Sequence, residues 1–108
     1  MNETTEKRGS LRCPVNLFVM GCFRNNLFSS TARDISTSGM LFETNRPLTI
    51  HDRITFSFVL QHKISIDGEV VRASRKTSDV YDYGVRFLDV DPGSKAEIDM
   101  LVRNRIRR

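Results

Sequence analysis

From Pro14 to Leu88 the chain alternates between apolar and polar positions. Val15, Leu17 and Val19 alternate with Asn16 and Phe18, the period of two that a half-buried strand requires. Gly21 and Arg24-Asn25-Asn26 suggest a turn, and Leu27 to Arg33 reads as the returning strand. Ser36 to Gly39 is a second turn, and Met40 to Thr44 a short strand. Ile54, Phe56, Phe58 and Leu60 alternate with Thr55, Ser57 and Val59, the cleanest strand in the sequence. Gln61-His62 reads as a hairpin tip, and Lys63 to Ala73 as the returning strand. Gly68 inside it predicts a bulge or a close backbone approach. A polar loop from Ser74 to Tyr81 precedes a last strand built on Tyr83, Val85 and Phe87.

The period then changes. Asp91-Pro92 is a helix start signal, because Asp accepts from exposed amides and Pro is tolerated in the first turn. Ile98, Leu101, Val102 and Ile106 recur at helical spacing, a stripe that should pack on the strands or on another subunit. Arg103, Arg105, Arg107 and Arg108 sit where the helix dipole favours cations. Six short strands followed by one helix, without βαβ alternation, predict a small antiparallel barrel or sandwich carrying a C-terminal helix.

Composition narrows the picture. A chain of 108 residues is one domain's worth, and it can bury a core without metal or disulfide. No apolar run approaches a membrane span, and the polar start has no apolar signal-peptide core, so a soluble, non-exported, cytoplasmic protein is expected. Cys13 and Cys22 read as buried free thiols, and neither His51 nor His62 is placed to complete a zinc site with them. Lys and Arg total 17 against 13 acidic residues, a formal charge of +4. Thirteen of those cations are arginine, whose planar fork matches phosphate oxygens and guanine edges. An anionic partner is therefore expected. No nucleophile–base set, metal cluster or Gly-rich phosphate loop is visible, so no enzyme is expected.

Two constellations carry the chemistry. Arg8-Gly9-Ser10-Leu11-Arg12 is an R-x-x-x-R spacing preceded by Lys7; it has little weight alone, since Arg103 and Arg107 repeat it. Asp34-Ile35-Ser36-Thr37-Ser38-Gly39 is a D-x-S-x-x-G turn, which this composition would produce by chance about 0.04 times. An ordinary Asx-type turn and a solvated basic segment are the plain readings of the two. Their combination, a basic arm before the first strand and this turn after the second, resembles the PilZ domain family. The segments Ile66 to Arg72 and Tyr83 to Phe87 resemble the family's later strands. Lys7 stands where many members carry another arginine.

The resemblance implies an all-β fold: a six-stranded antiparallel Greek-key or split barrel with a flexible N-terminal arm and a C-terminal α-helix. It divides the chain into a disordered tail (1–6), a ligand-binding arm (7–12), the barrel (13–90) and the helix (91–106). It also implies a receptor for cyclic di-GMP. Arg8 and Arg12 would contact phosphates and guanine edges, with Lys7 adding a third cation; Asp34, Ser36 and Gly39 would form the guanine-facing pocket. The chemistry is consistent: an ionised carboxylate accepts from the guanine N1–H and amine, and arginine binds phosphate or the guanine O6/N7 edge bidentately. Arg72, Arg75 and Arg86 are candidates for the same pocket from the later strands, with a surface role favoured.

The expected mechanism is ordering of the arm by the ligand, read by an unidentified effector protein. Motility, polysaccharide secretion, adhesion and transcription are all open as outputs, as are a monomer or homodimer and one ligand or an intercalated pair. Two alternatives stand beside this reading: a PilZ-like adaptor that binds no nucleotide, and a basic barrel for single-stranded nucleic acid. The absence of Trp and the inward phase of Phe56 and Phe58 argue against the latter, so no DNA or RNA partner is expected.

Overall fold

The computed structural model describes residues 11–106, except for the side chain of Ile106. Six antiparallel strands close into a barrel: β1 (Cys13–Phe23), β2 (Asn26–Ile35), β3 (Gly39–Thr44), β4 (Arg53–Val59), β5 (Lys63–Arg75) and β6 (Tyr81–Leu88). Around the barrel they run β1-β2-β3-β6-β5-β4, and β4 pairs back onto β1 through Met20–Ser57, Gly21–Phe56 and Cys22–Thr55. One helix, α1 (Pro92–Ile106), follows. It is too short and too polar to cross a membrane, and no helix among the described residues does so.

Local chemistry sets the connections. Arg24 and Asn25 both have positive φ, 52° and 66°, which makes the β1–β2 loop a two-residue turn whose twist matches the strands. The β3–β4 connection crosses one end of the barrel, pinned from inside by Tyr83. The Tyr83 hydroxyl accepts from the Leu48 N–H at 2.7 Å and donates to the Arg46 carbonyl. Burial pushes that phenol's pKa up, as expected for a group that must stay neutral in the core.

The inward positions of all six strands meet in one core. Phe42 packs edge-on to Phe56 and tilted against Tyr83, with Val19, Ile35, Met40, Ile54, Val70 and Val85 around them. The Ile98 and Val102 side chains of α1 join this core and Leu101 packs against it, so the described part of the predicted helical stripe closes the barrel of its own chain. Asp91 starts the helix as expected. Its carboxylate accepts from the Ser94 N–H and hydroxyl, and those bonds lower its pKa. At the other side Glu97 accepts from the Gln61 and His62 amides and pairs with the His62 ring, fastening α1 to the β4–β5 hairpin. Arg105 reaches the Pro14 carbonyl at 3.3 Å, so the last turn lies against the start of β1. Arg103 instead bonds Asp99, one turn back.

Three register shifts interrupt the ladders, at Val15/Asn16 in β1, Arg33 in β2 and Val71 in β5. The bulge expected near Gly68 falls on Val71. Gly68 itself stays in register with Ile54 and Phe87, and a Cβ there would come within 3.1 Å of the Phe56 ring. Cys13 is buried and Cys22 half-buried, and both are free thiols.

Candidate functional site

Bulges decide which residues face out near the D-x-S-x-x-G turn. Along β2 the side chains of Phe28, Ser30 and Ala32 point inward, so strict alternation would bury Asp34 and expose Ile35. The extra residue at Arg33 reverses the phase. Ile35 is fully buried, and Asp34 faces out of the barrel with 27% of its side chain accessible. The bulge at Val71 does the same in β5, where inward Ile64, Ile66 and Val70 give way to an outward Arg72.

Both re-aimed residues fall in one row across the outer wall. Pairing runs Pro14–Asp34–Leu41–Gly84–Arg72 through β1, β2, β3, β6 and β5. Gly84 has no side chain to lift Arg72 away. A Cβ built on it would stand 3.5 to 3.7 Å from the Arg72 Cβ, Nε and Nη2, so the Arg72 side chain runs over Gly84. A second row, Gly39–Arg86–Glu69–Arg53, runs beside the first. There Arg86 donates to Glu69 at 2.7 Å and the His51 ring bonds the other oxygen at 2.8 Å. The His51 bond is the main cause of a lowered Glu69 pKa, with Arg86 adding to it and partial desolvation opposing it. His51 sits at φ 81° in its turn, held by an N–H bond to the Val70 carbonyl.

Arg12, just before β1, reaches the first row. Its Nη2 lies 3.0 Å from Asp34 Oδ1. This is a contact of charges and not an aligned hydrogen bond: Oδ1 is buried and has no hydrogen-bond partner among the described residues. Asp34 therefore holds an arginine while keeping acceptor capacity unused.

Ser36 and Gly39 shape the turn that follows. The Ser36 side chain is fully buried, and its oxygen accepts from the Ser38 and Gly39 amides at 3.1 and 3.2 Å. The Ser36 N–H donates to the Gly39 carbonyl at 2.9 Å, and the Phe87 N–H to the Ser38 carbonyl at 2.8 Å, tying the turn to β6. Gly39 is required by crowding: a Cβ there would lie 2.1 Å from the Val85 carbonyl oxygen. Its close approach is to β6, and its φ is not in the left-handed region.

The structure thus brings Arg12, Asp34, Ser36 and Gly39 to one corner of the wall. Lys7 and Arg8 lie outside the described residues. Arg72 and Arg86 stand on the same wall, in neighbouring rows. Arg75 is farther along β5, with its guanidinium 5.5 Å from the Tyr81 ring centroid. Sequence reasoning left the Arg72–Gly84 pairing unseen. The apolar spacing Ala32 to Ile35, three positions where two were due, was the available signal for the Arg33 bulge. Among the described residues no three His, Cys, Asp or Glu side chains converge as metal ligands.

The fold, the turn and the arginine beside it define a class, and comparison with known proteins supplies its name. The PilZ domain family model matches residues 6–104, and the chain belongs to that family. The solved Bacillus subtilis inhibitor of motility, MotI/DgrA, superposes with a TM-score of 0.81 at 14% identity, over 94% of this chain and 51% of that one. The PilZ domain of Escherichia coli YcgR, solved with c-di-GMP, gives 0.76 at 19% identity, over 94% of this chain and 92% of that domain. The K. pneumonia MrkH–c-di-GMP complex gives 0.76 at 18% identity, over 93% and 52%. The chain therefore spans about half the length of MotI/DgrA and MrkH. No curated protein matches it.

Proposed function

We propose that this chain is a receptor module for cyclic di-GMP and not an enzyme, and that the wall carrying Asp34 is its ligand site. The observation that carries the reading is the placement of Arg12 beside Asp34, with a carboxylate oxygen still able to accept. Cyclic di-GMP offers two phosphates to cations and two guanine donor edges to a carboxylate. In this reading Arg12, with Arg8 and Lys7, holds the phosphates, and Asp34 turns from Arg12 toward the guanine N1–H and amine. Ser36 and Gly39 position that carboxylate through the turn they build. Arg72, which runs over Gly84, would offer its guanidinium to a base in this reading. Arg86 is already committed to Glu69 and contributes field more than contact.

Engagement of residues 7–12 by the ligand is then the event a cytoplasmic effector protein reads. The YcgR PilZ domain solved with c-di-GMP and the MrkH–c-di-GMP complex support the choice of ligand. Isothermal titration tests it. Dissociation constants near the micromolar range, about 8 kcal/mol, are expected for cyclic di-GMP, with GTP and cyclic di-AMP far weaker. An Arg12→Ala variant that binds as tightly as the parent would overturn the assignment.

A further inference from the structure

The row beside the Asp34 row holds a carboxylate on a wall read as the seat of a dianion. Glu69 faces outward from β5, with Arg86 of β6 as its partner in one ladder and Arg53 of β4 in the other. Glu69 Oε1 accepts from Arg86 Nη2 at 2.7 Å, and Oε2 lies 2.8 Å from His51 Nδ1. His51 is itself fixed by its N–H bond to the Val70 carbonyl, so the carboxylate is held from a second direction. Only 14% of the Glu69 side chain is accessible, against 59% for Arg86. Arg86 is the ladder partner of both Gly39 and Glu69, one on each side of β6. Its ion pair therefore draws the guanidinium toward β5, away from the turn that ends at Gly39. The next outward residue of β6 is Gly84, about 7 Å along the strand, where Arg72 crosses.

We infer that Glu69 is a positioning residue that limits affinity for the dianion by withholding Arg86 from it. The inference rests on the reading of this wall as the cyclic di-GMP site. Asp34 and Glu69 differ in what a ligand can give each of them. Asp34 keeps an acceptor oxygen without a hydrogen-bond partner among the described residues, so it can exchange Arg12 for a guanine donor edge. Glu69 has both oxygens engaged and little accessible surface, so no ligand group replaces Arg86 for it. Separating the pair would leave a largely covered carboxylate short of its cation, which is unfavourable. The pair therefore outlasts ligand binding, and Arg86 stays out of contact. A neutral residue at position 69 removes this competition. The accessible Arg86 side chain can then swing across β6 toward Gly39 and offer its fork of donors to a phosphate.

Calorimetric titration of cyclic di-GMP into the full chain and its variants tests this. Glu69→Gln should tighten binding by about 10-fold or more, and added salt should shrink the gain. In an Arg86→Ala background the same exchange should change affinity by about 3-fold at most, the share left to long-range charge. Glu69→Thr, neutral and suited to a strand, should repeat the gain. A pair that only stabilises the ladder would behave otherwise: Glu69→Gln would lower the unfolding midpoint and leave the nucleotide bound no more tightly. A parent that takes up no cyclic di-GMP removes the site reading, and this inference with it. A parent that binds while neither Glu69 variant binds more tightly, or a gain undiminished in the Arg86→Ala background, would overturn the inference alone.

Discussion

The two walls of this barrel are built from the same alternating strands and differ in what the outward positions carry. Across β2, β3, β6 and β5 those positions hold Asp34, Glu43, Arg86, Glu69 and Arg72, most of them in ion pairs. Across β4 and β1 they hold Thr55, Ser57, Val59, Phe18 and Met20, with Arg53 at the start of β4 the one charged residue among the outward positions. The inward faces of both walls belong to one core. Folding of the common core therefore constrains the outward residues little. The charged wall also carries two of the three bulges, and each turns a charged side chain outward. The irregular ladder there turns Asp34 and Arg72 outward.

The largest expected effect tests that contrast through binding. Arg12→Ala or Asp34→Ala should weaken cyclic di-GMP by roughly 2–5 kcal/mol in a calorimetric titration, if the pair is desolvated by the ligand. Arg12 is half-exposed and Asp34 partly buried on the outside of the barrel, neither in the core, so the loss on thermal unfolding should stay within about 1 kcal/mol. Gly39→Ala is the converse case. It should destabilise the fold by about 3 kcal/mol, because the new methyl meets the Val85 carbonyl, and denaturant midpoints will show it. Ser36→Ala should cost about 1–2 kcal/mol of stability by stripping two turn amides of their acceptor. It should weaken nucleotide binding less than Asp34→Ala does. On the other wall, Phe18→Ser should leave nucleotide affinity within about 0.5 kcal/mol of the parent.

The smallest effect is pH-dependent. Glu97 is held below its ordinary carboxyl pKa of 4.5, chiefly by the His62 ring, with the amides of the β4–β5 hairpin adding to it. A carboxyl lowered in the folded state contributes stability that is fully present above 4.5 and lost as pH falls through its folded value. Glu97→Gln should thus lower the melting temperature at pH 7, and the gap to the parent should narrow as pH falls below 4.5.

Much of this architecture was legible in the residues. Period-two alternation found all six strands to within a few residues of their ends, and Asp91-Pro92 marked the helix start. The ends escaped because pairing decides them: β5 runs on to Arg75 because β6 accompanies it as far as Tyr81. The D-x-S-x-x-G turn was readable as a motif, but the reason for its glycine was not. The group that excludes a side chain at Gly39 is the Val85 carbonyl, brought alongside only by the β3–β6 ladder. Likewise Arg72 looked like one arginine among thirteen until the Val71 bulge set it opposite Gly84.

Chemical-shift mapping of the labelled protein during a cyclic di-GMP titration addresses the two-wall account most directly. Saturable shifts should concentrate on Arg12, Asp34, Leu41, Gly84 and Arg72, with Phe18, Leu27 and Ser57 unmoved. Absence of saturable shifts, or a response centred on the β4–β1 wall, would contradict it.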